Sequence, residues 1–274
     1  MKLFSALFFT FALLVGTAHA APLDAFTGLS GTLDIAGGTA HIPVMKSAAQ
    51  AIMKANAAIR ITITGGGSGV GVQKVGEGLV HIGNTGRPLK EGEIAKYGLK
   101  SFPFAIDGVA IAVNPANRVQ ALSKQQLLAI FAGEITNWKE VGGADAAINL
   151  YSREDGSGTR EVFEEKALTK GAKISPKANV VNSNGAMKTA IAQDTNAIGY
   201  VGIGHLDAKI KGIVLDGMTP SQQNAADGSY AVTRKLYMNT KGEPQGLTKA
   251  FIDYIYSAEG TAFIKKAGYI PLAR

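Results

Sequence analysis

The sequence of 274 residues contains no cysteine, and this absence excludes several kinds of chemistry. A chain without thiols forms no disulfide, offers no thiolate to a metal ion and carries no cysteine for a lipid anchor. Long apolar runs are also scarce, because the one at residues 7–15 is too short for a helix that spans a membrane. The formal net charge is +7 at pH 7. The lysines of the chain are scattered and not interleaved with aromatic residues, so we expect no nucleic-acid partner.

The first twenty residues have the features of a secretory signal peptide. Lys2 provides the positive start, residues 7–15 the apolar core, and Ala18-His19-Ala20 the small-x-small pattern that precedes a cleavage site. We expect cleavage after Ala20. A secreted chain without disulfides or a lipid anchor is expected in the periplasm of a bacterium with two membranes.

The most informative stretch is Ser-Arg-Glu-Asp-Gly-Ser-Gly-Thr-Arg at residues 152–160, where an apolar run gives way to a helical pattern. Its two glycines let the backbone approach a ligand, and the hydroxyls of Ser157 and Thr159 can cap the helix. The planar guanidinium of Arg153 can donate two parallel hydrogen bonds to one anion. Together with the unpaired N–H groups of a helix start, these residues predict a socket for a tetrahedral anion. An ordinary capped helix with a surface arginine is the alternative for this stretch alone.

Two further segments have the same order of strand, small polar turn and helix. Residues 61–64 alternate like a strand, the glycine-rich residues 65–71 form a turn, and helical spacing follows. This turn matches neither a nucleotide-binding P-loop nor a dinucleotide fingerprint. Residues 32–36 predict another strand, followed by a turn at residues 37–40 and a helix opened by Pro43. Because ligands of open α/β sheets bind beyond the carboxyl ends of strands, the three junctions can converge on one small anion.

The alternation of strand and helix patterns predicts an α/β architecture with mostly parallel sheets. The length is sufficient for two compact lobes. Two extended apolar runs, residues 102–114 and 230–240, are candidates for the strands of a hinge. Between them, Ser123 and Gln126 form a capping-box pattern that predicts a helix over residues 123–132.

The sequence offers little support for catalysis. The candidate bases His41, His81 and His205 do not have the spacing of a zinc site. Ser68 and Ser157 lack the flanking residues of a nucleophile elbow. No aspartate spacing matches a calcium loop. We therefore expect a binding protein that is not an enzyme and has no cofactor and no metal.

Seven short motifs follow one another along the chain in a specific order. They are Gly-Gly-Gly-Ser-Gly-Val-Gly (65–71), His-Ile-Gly-Asn-Thr-Gly-Arg-Pro-Leu (81–89), Phe-Ala-Ile-Asp-Gly-Val-Ala-Ile-Ala-Val-Asn (104–114), Ile-Thr-Asn-Trp-Lys-Glu-Val-Gly-Gly (135–143), Ser-Arg-Glu-Asp-Gly-Ser-Gly-Thr-Arg (152–160), Ala-Ile-Gly-Tyr-Val-Gly (197–202) and Gly-Tyr-Ile-Pro-Leu (268–272). In order and spacing they resemble the periplasmic phosphate-binding proteins of ABC transporters, from about Thr32 to Leu272. The resemblance implies a type II periplasmic binding protein, in which two α/β lobes with mixed, mostly parallel sheets are joined by a two-strand hinge. We expect one lobe to comprise residues 30–108 and 238–274, and the other residues 109–237.

The resemblance also implies a set of ligand-binding residues. The positions that match the family's contacts are Thr39, the N–H of Ala40, Ser68, Thr85, Arg87, Arg153, Ser157, Gly158 and Thr159. Arg153 would supply the charged donor, and Asp155 would orient it from behind. Thr85 would add a hydroxyl and Arg87 a second cation.

One position departs from the family pattern. The best-known members place an aspartate at the position of Gly86, where it accepts a hydrogen bond from the phosphate proton, whereas residues 85–87 here resemble a Ser-Arg-containing branch. A fixed carboxylate disfavours fully ionised sulfate, because an unpaired buried acceptor costs several kcal/mol. Without it, rejection of sulfate depends on backbone carbonyls or another acid, or is weaker. Phosphate is the expected ligand, with sulfate, molybdate or another oxyanion as alternatives.

The resemblance implies a monomer that captures phosphate and delivers it to an inner-membrane ABC permease. A periplasmic oxyanion sensor or scavenger of the same fold is the second possibility. A phosphatase-like enzyme is the third, and the absence of a recognisable nucleophile and metal ligands argues against it.

Overall fold

A computed structural model describes residues 22–274, so the expected signal peptide at residues 1–20 lies outside the described part. The strands are β1 (Gly31–Gly37), β2 (Ile59–Gly66), β3 (Ile82–Thr85), β4 (Leu99–Val113), β5 (Ala121–Leu122), β6 (Asn149–Arg153), β7 (Asn179–Val181), β8 (Ala197–Gly202), β9 (Lys211–Gly212), β10 (Val214–Leu215), β11 (Thr233–Lys241) and β12 (Ile270–Pro271). The helices are α1 (Ile42–Ala55), α2 (Gly67–Gly76), α3 (Glu91–Tyr97), α4 (Lys124–Ala132), α5 (Gly158–Val162), α6 (Asn184–Gln193), α7 (Gln222–Ala226), α8 (Gly246–Tyr256) and α9 (Ala258–Lys266). None of these helices has the length and apolarity needed to cross a membrane.

The main sheet is mixed, and two long strands account for its antiparallel part. Its strand order is β2-β1-β3-β11-β4-β8-β6-β7, with β9 and β12 also paired to β4. Strands β1, β2 and β3 are parallel to one another, and so are β6, β7 and β8 along their pairings. Every antiparallel pairing between two of these strands of residues 22–274 involves β4 or β11. The parallel layers expected from the alternating pattern are therefore present, and the two long strands connect them.

Two hydrophobic cores divide the molecule along these connecting strands. On β4, Phe104 and Ala105 belong to the first core, whereas Val109 belongs to the second. On β11, Leu236 belongs to the first core, whereas Val232, just before the strand, belongs to the second. The apolar runs expected to form a hinge are thus the strands that pass from one core to the other. The expected lobe boundaries, after residue 108 on β4 and after residue 237 on β11, stay predictions.

Local capping signals explain where helix α4 begins and ends. The Ser123 hydroxyl accepts a hydrogen bond from the N–H of Gln126 at 3.1 Å, and the Gln126 side chain accepts one from the N–H of Ser123 at 2.9 Å. Gly133 ends the helix in the left-handed conformation, with φ of 82°. The predicted helix over residues 123–132 is confirmed within one residue.

The helix that follows residue 157 differs from a regular pattern. Helix α5 ends after five residues and continues as a π-helical turn, Phe163–Ala167, in which the N–H of Leu168 donates to the Phe163 carbonyl at 3.0 Å. The wider turn allows Phe163, Ala167 and Leu168 all to be buried in the second core. Phe163 also stacks on Tyr200, with ring centroids 4.0 Å apart.

Candidate functional site

A small cavity lies between the two lobes, where several strand ends and helix starts converge. It is lined by Gly38, Thr39, Ala40, His41, Gly67, Ser68, Gly86, Arg153, Ser157, Gly158, Thr159 and Arg234. None of these lining residues is acidic. The cavity volume is about 10 Å³, on a scale where a single water molecule needs roughly 10–15 Å³. This space leaves no room for an organic substituent, and a tetrahedral ion requires the lining groups to move slightly apart.

Glycines allow the helix starts of α2 and α5 to approach each other across the cleft. Gly66 and Gly67 lead into α2 with φ of 123° and 80°, a conformation that residues with a Cβ rarely adopt. The N–H of Gly69 donates to the carbonyl of Gly156 in the opposite lobe at 3.0 Å. A Cβ on Gly158 would overlap the Ser68 hydroxyl. The first N–H groups of both helices have no partner inside their helix, so they favour an anion between them.

Arg153, at the end of β6, is one of two arginines that line the cavity. Its side chain is 1% exposed, and its Nε and Nη2 atoms donate to Glu154, each at 2.8 Å. The Nη1 atom is buried and has no hydrogen-bond partner within residues 22–274. A buried guanidinium nitrogen without a partner is costly, and an anion in the cavity would satisfy it.

The expectation that Asp155 orients Arg153 requires correction. The Asp155 carboxylate accepts a hydrogen bond from Arg160 Nη1 at 2.7 Å, and its side chain is 98% exposed. Glu154 is the residue that fixes the Arg153 guanidinium. Both acids belong to the same motif, and only the direction of the chain after β6 decides which of them faces the arginine.

Besides Ser157 Oγ, which caps α5 by accepting from the N–H of Arg160 at 3.3 Å, three hydroxyl groups around the cavity already accept hydrogen bonds from the protein. Thr39 Oγ1 accepts from the side-chain nitrogen of Asn184 at 3.0 Å, and Ser68 Oγ accepts from the N–H of Gly86 at 3.0 Å. Thr159 Oγ1 accepts from Arg234 at 2.8 Å. Each of these oxygens therefore keeps its own hydrogen for donation. Since the three side chains line the cavity, they can offer three O–H donors to an anion.

Thr85 and Arg87 lie beside the cavity but do not line it. Thr85 is buried, and its hydroxyl donates to the carbonyl of Arg87 at 2.8 Å. The Arg87 guanidinium donates to both oxygens of Glu93 at 2.7 and 2.8 Å, and its Nε lies 2.8 Å from Glu161 in the other lobe. The expected second cation of the site is thus engaged in ion pairs, one of which joins the lobes. Seven of the nine expected ligand residues do line the cavity, and their part in binding stays a prediction.

Arg234 and Asp107 are site residues that sequence reasoning missed. Arg234 lines the cavity, and its ion pair with Asp107 is almost completely buried. The available signal was a single acid, Asp107, in one apolar hinge run and two adjacent cations, Arg234 and Lys235, in the other. Charged residues are seldom buried unless they are paired.

His41 also lines the cavity, and its ring is neutral. Its Nδ1 atom lies 3.1 Å from the Gly38 carbonyl oxygen, which only accepts, so Nδ1 carries the hydrogen. Burial, together with the positive charge of Arg234, lowers the pKa of His41 to about 3, although backbone carbonyls of Gly38, Tyr237 and Thr85 oppose this shift. The imidazole therefore adds no charge to the cavity at neutral pH.

The buried, neutral state of His41 makes stability depend on pH. Below its unfolded-state pKa of about 6.5 the unfolded chain binds a proton that the folded chain does not, so stability present above pH 6.5 is lost progressively towards pH 3. We expect His41 to account for roughly 2 kcal/mol of the fall in unfolding free energy between pH 7.5 and pH 5. Denaturant unfolding of His41→Gln should show a fall smaller by this amount. His81→Gln, at a half-exposed histidine, is the control. Identical pH profiles for the unaltered chain and His41→Gln would contradict the expectation.

Comparisons with known proteins agree with this geometry. A family model described as a PBP superfamily domain matches residues 24–259. The phosphate-binding protein PstS of Bacillus subtilis is 40% identical over 247 residues, which cover 89% of this chain and 81% of the relative. PstS of Pseudomonas aeruginosa is 30% identical over 274 residues, covering 90% of this chain and 84% of the relative.

Solved structures give the same result. A Clostridium perfringens protein, described as a candidate phosphate ABC transporter substrate-binding protein with bound phosphate, is 34% identical with a TM-score of 0.83, covering 88% of this chain and all of that one. An ABC-type phosphate transport receptor from Vibrio cholerae is 35% identical with a TM-score of 0.69, covering 87% and 99%.

The fold and the cavity define the class of the protein. Two α/β lobes, connected by two strands and closed on a cavity lined by donors, form a type II periplasmic binding protein, which confirms the predicted fold class. The chain belongs to the PBP superfamily and, within it, to the PstS family of phosphate-binding proteins.

Proposed function

We propose that this protein captures phosphate in the cavity between its lobes and delivers it to an ABC-type permease in the inner membrane. The observation that carries the proposal is the buried Nη1 atom of Arg153, which has no hydrogen-bond partner among residues 22–274 and belongs to a side chain that lines a cavity rich in O–H and N–H donors. The sequence relatives are phosphate-binding proteins, and the Clostridium perfringens structure holds phosphate.

The donor-rich lining supports binding of an anion without chemical change. General acid–base catalysis needs a group that can exchange a proton near neutral pH, whereas the cavity lining contains no carboxylate and its one imidazole has a pKa of about 3. We therefore propose a binding protein without enzymatic activity at this cavity.

Calorimetric titration of ligand-stripped protein tests the proposal. The unaltered chain should bind phosphate at one site per molecule and bind molybdate and sulfate more weakly. Since the guanidinium and hydroxyl donors lie between the lobes, the phosphate titration should also raise the melting temperature. Absence of phosphate binding, or equally tight binding of sulfate, would contradict phosphate as the ligand.

The cavity lining contains no carboxylate that could accept the phosphate proton, and Gly86→Asp tests whether one would sharpen selectivity against sulfate. A Cβ at residue 86 would lie 2.8 Å from Arg234 Nη1, so the new carboxylate would stand in the cavity wall beside that guanidinium. Because the carboxylate disturbs Arg234, it should weaken the binding of both anions. The binding of sulfate should be weakened more than that of phosphate, because only hydrogen phosphate can donate a hydrogen bond to the carboxylate. Competition titrations should therefore show a higher phosphate-to-sulfate ratio than in the unaltered chain, and an unchanged ratio would show that this position does not set selectivity.

We also propose export to the periplasm through cleavage of residues 1–20. The small-x-small pattern at Ala18 and Ala20 supports the site. Intact-mass analysis of a periplasmic extract should give a chain that starts at Ala21. Recovery of the chain only from the cytoplasm, with Met1 present, would contradict this location.

A further inference from the structure

A buried ion pair lies where the two connecting strands pass between the cores. Asp107 on β4 and Arg234 on β11 are register partners, and their side chains are 0% and 3% exposed. One carboxylate oxygen, Asp107 Oδ2, accepts from Arg234 Nε at 3.0 Å and from Nη2 at 2.7 Å. Two of the three guanidinium nitrogens are thus held by the acid.

The third nitrogen of Arg234 connects this ion pair to the ligand cavity. Nη1 donates to Thr159 Oγ1 at 2.8 Å, and both Arg234 and Thr159 line the cavity. Thr159 is the second residue of α5, at the helix start that faces the opposite lobe. The strands that join the lobes therefore hold a binding hydroxyl through one arginine.

We propose that Arg234, held by Asp107, is a positioning residue that makes Thr159 a fixed donor to the bound oxyanion, a role that rests on the proposed function. A guanidinium has five donors and no acceptor, so the Thr159 oxygen must accept from Nη1 and its own hydrogen must point elsewhere. With the oxygen fixed in the cavity wall, that hydrogen is directed at the ligand. A free threonine hydroxyl would have to be ordered at each binding event, whereas this one is preorganised.

Gly86 is part of the same arrangement. A Cβ at this position would lie 2.8 Å from Arg234 Nη1 and 3.2 Å from its Cζ. Only a residue without a side chain leaves the guanidinium free to reach Thr159. The glycine and the arginine therefore occupy the cavity wall jointly.

A double-mutant cycle on phosphate affinity tests the role. One arm is the neutral pair Asp107→Asn with Arg234→Gln, which removes both charges together, and the other arm is Thr159→Val. Each arm should weaken phosphate binding about tenfold. The combined variant should bind phosphate no more than about twofold more weakly than the weaker binder of the two arms, because both arms remove the same contact. Thr159→Ser should recover most of the loss of Thr159→Val, since it restores the hydroxyl. The exposed pair Lys249→Gln with Asp253→Asn, on α8, is the control and should bind as the unaltered chain does.

The outcomes separate this role from the proposed function. The positioning role would be refuted if the fold-losses in phosphate affinity of the two arms multiplied in the combined variant, or if the neutral pair bound phosphate with normal affinity. Either result could occur while the unaltered chain still binds phosphate. Failure of the unaltered chain to bind phosphate would refute the proposed function itself.

If the neutral pair does not melt cooperatively, Arg234→Lys replaces it in the cycle. Lysine keeps a charge for Asp107 but lacks the fork that reaches Thr159, so the same non-additive loss is expected.

Discussion

Arg153→Ala is expected to weaken phosphate binding by about 2–4 kcal/mol, roughly 30- to 1,000-fold. The substitution removes the buried Nη1 donor and also leaves Glu154 without its partner, so a negative charge then lies near the anion. Arg153→Lys should recover only part of the affinity, because an ammonium cannot donate to Glu154 and to the ligand with a planar fork. Isothermal titration calorimetry measures each dissociation constant.

Two further variants make the Arg153 result interpretable. Arg118→Ala removes one positive charge at an exposed position, so it controls for the loss of long-range attraction of anions and should change affinity little. Arg153→Ala combined with Glu154→Gln removes the charge that the single variant exposes. If this combination bound phosphate as tightly as the unaltered chain, Arg153 would serve only to neutralise Glu154, and the cavity assignment would be wrong.

Gly158→Ala is expected to lower phosphate affinity by about 1–3 kcal/mol, roughly 5- to 150-fold, because one methyl group would force the lobes apart. Its Cβ would overlap Ser68 Oγ and lie 3.3 Å from the backbone of Gly86, both in the opposite lobe. The backbone of Gly158 has no left-handed conformation, so the added methyl should not strain α5 itself.

Gly69→Ala is the matched control for the methyl group that Gly158→Ala adds. It adds the same methyl to the same lobe interface, where the nearest atom, Gly156 Cα, lies at an ordinary 3.5 Å. Calorimetry should show near-normal affinity for Gly69→Ala and weak binding for Gly158→Ala, with similar melting temperatures in the absence of phosphate. Equal affinities of the two variants would show that the observed closure of the cleft is not required for binding.

The parts of the site that the sequence could predict are those held by neighbouring residues. Residues 152–160 contain the arginine, the cap and the glycines in one contiguous motif, so the position of Arg153 beside the start of α5 follows from local chemistry. The same reason explains why helix α4 could be predicted from Ser123 and Gln126. Signals of this kind need no knowledge of tertiary contacts.

The parts that could not be predicted depend on contacts between distant segments. Arg87 is directed away from the cavity by Glu93, six residues on, and by Glu161 in the other lobe. The ion pair of Asp107 with Arg234 requires the register of β4 against β11, across 127 residues of chain. A sequence pattern identifies the two apolar strands, but the pairing that buries their charges emerges only when the sheet is assembled.

A crystal structure of the protein with phosphate tests the central claim most directly. We expect one phosphate in the cavity between the lobes, with an oxygen bonded to Arg153 Nη1 and further oxygens accepting from the hydroxyls of Thr39, Ser68 and Thr159. Phosphate bound elsewhere, for example at Arg87 after its release from Glu93, with Arg153 Nη1 still unpartnered, would contradict it.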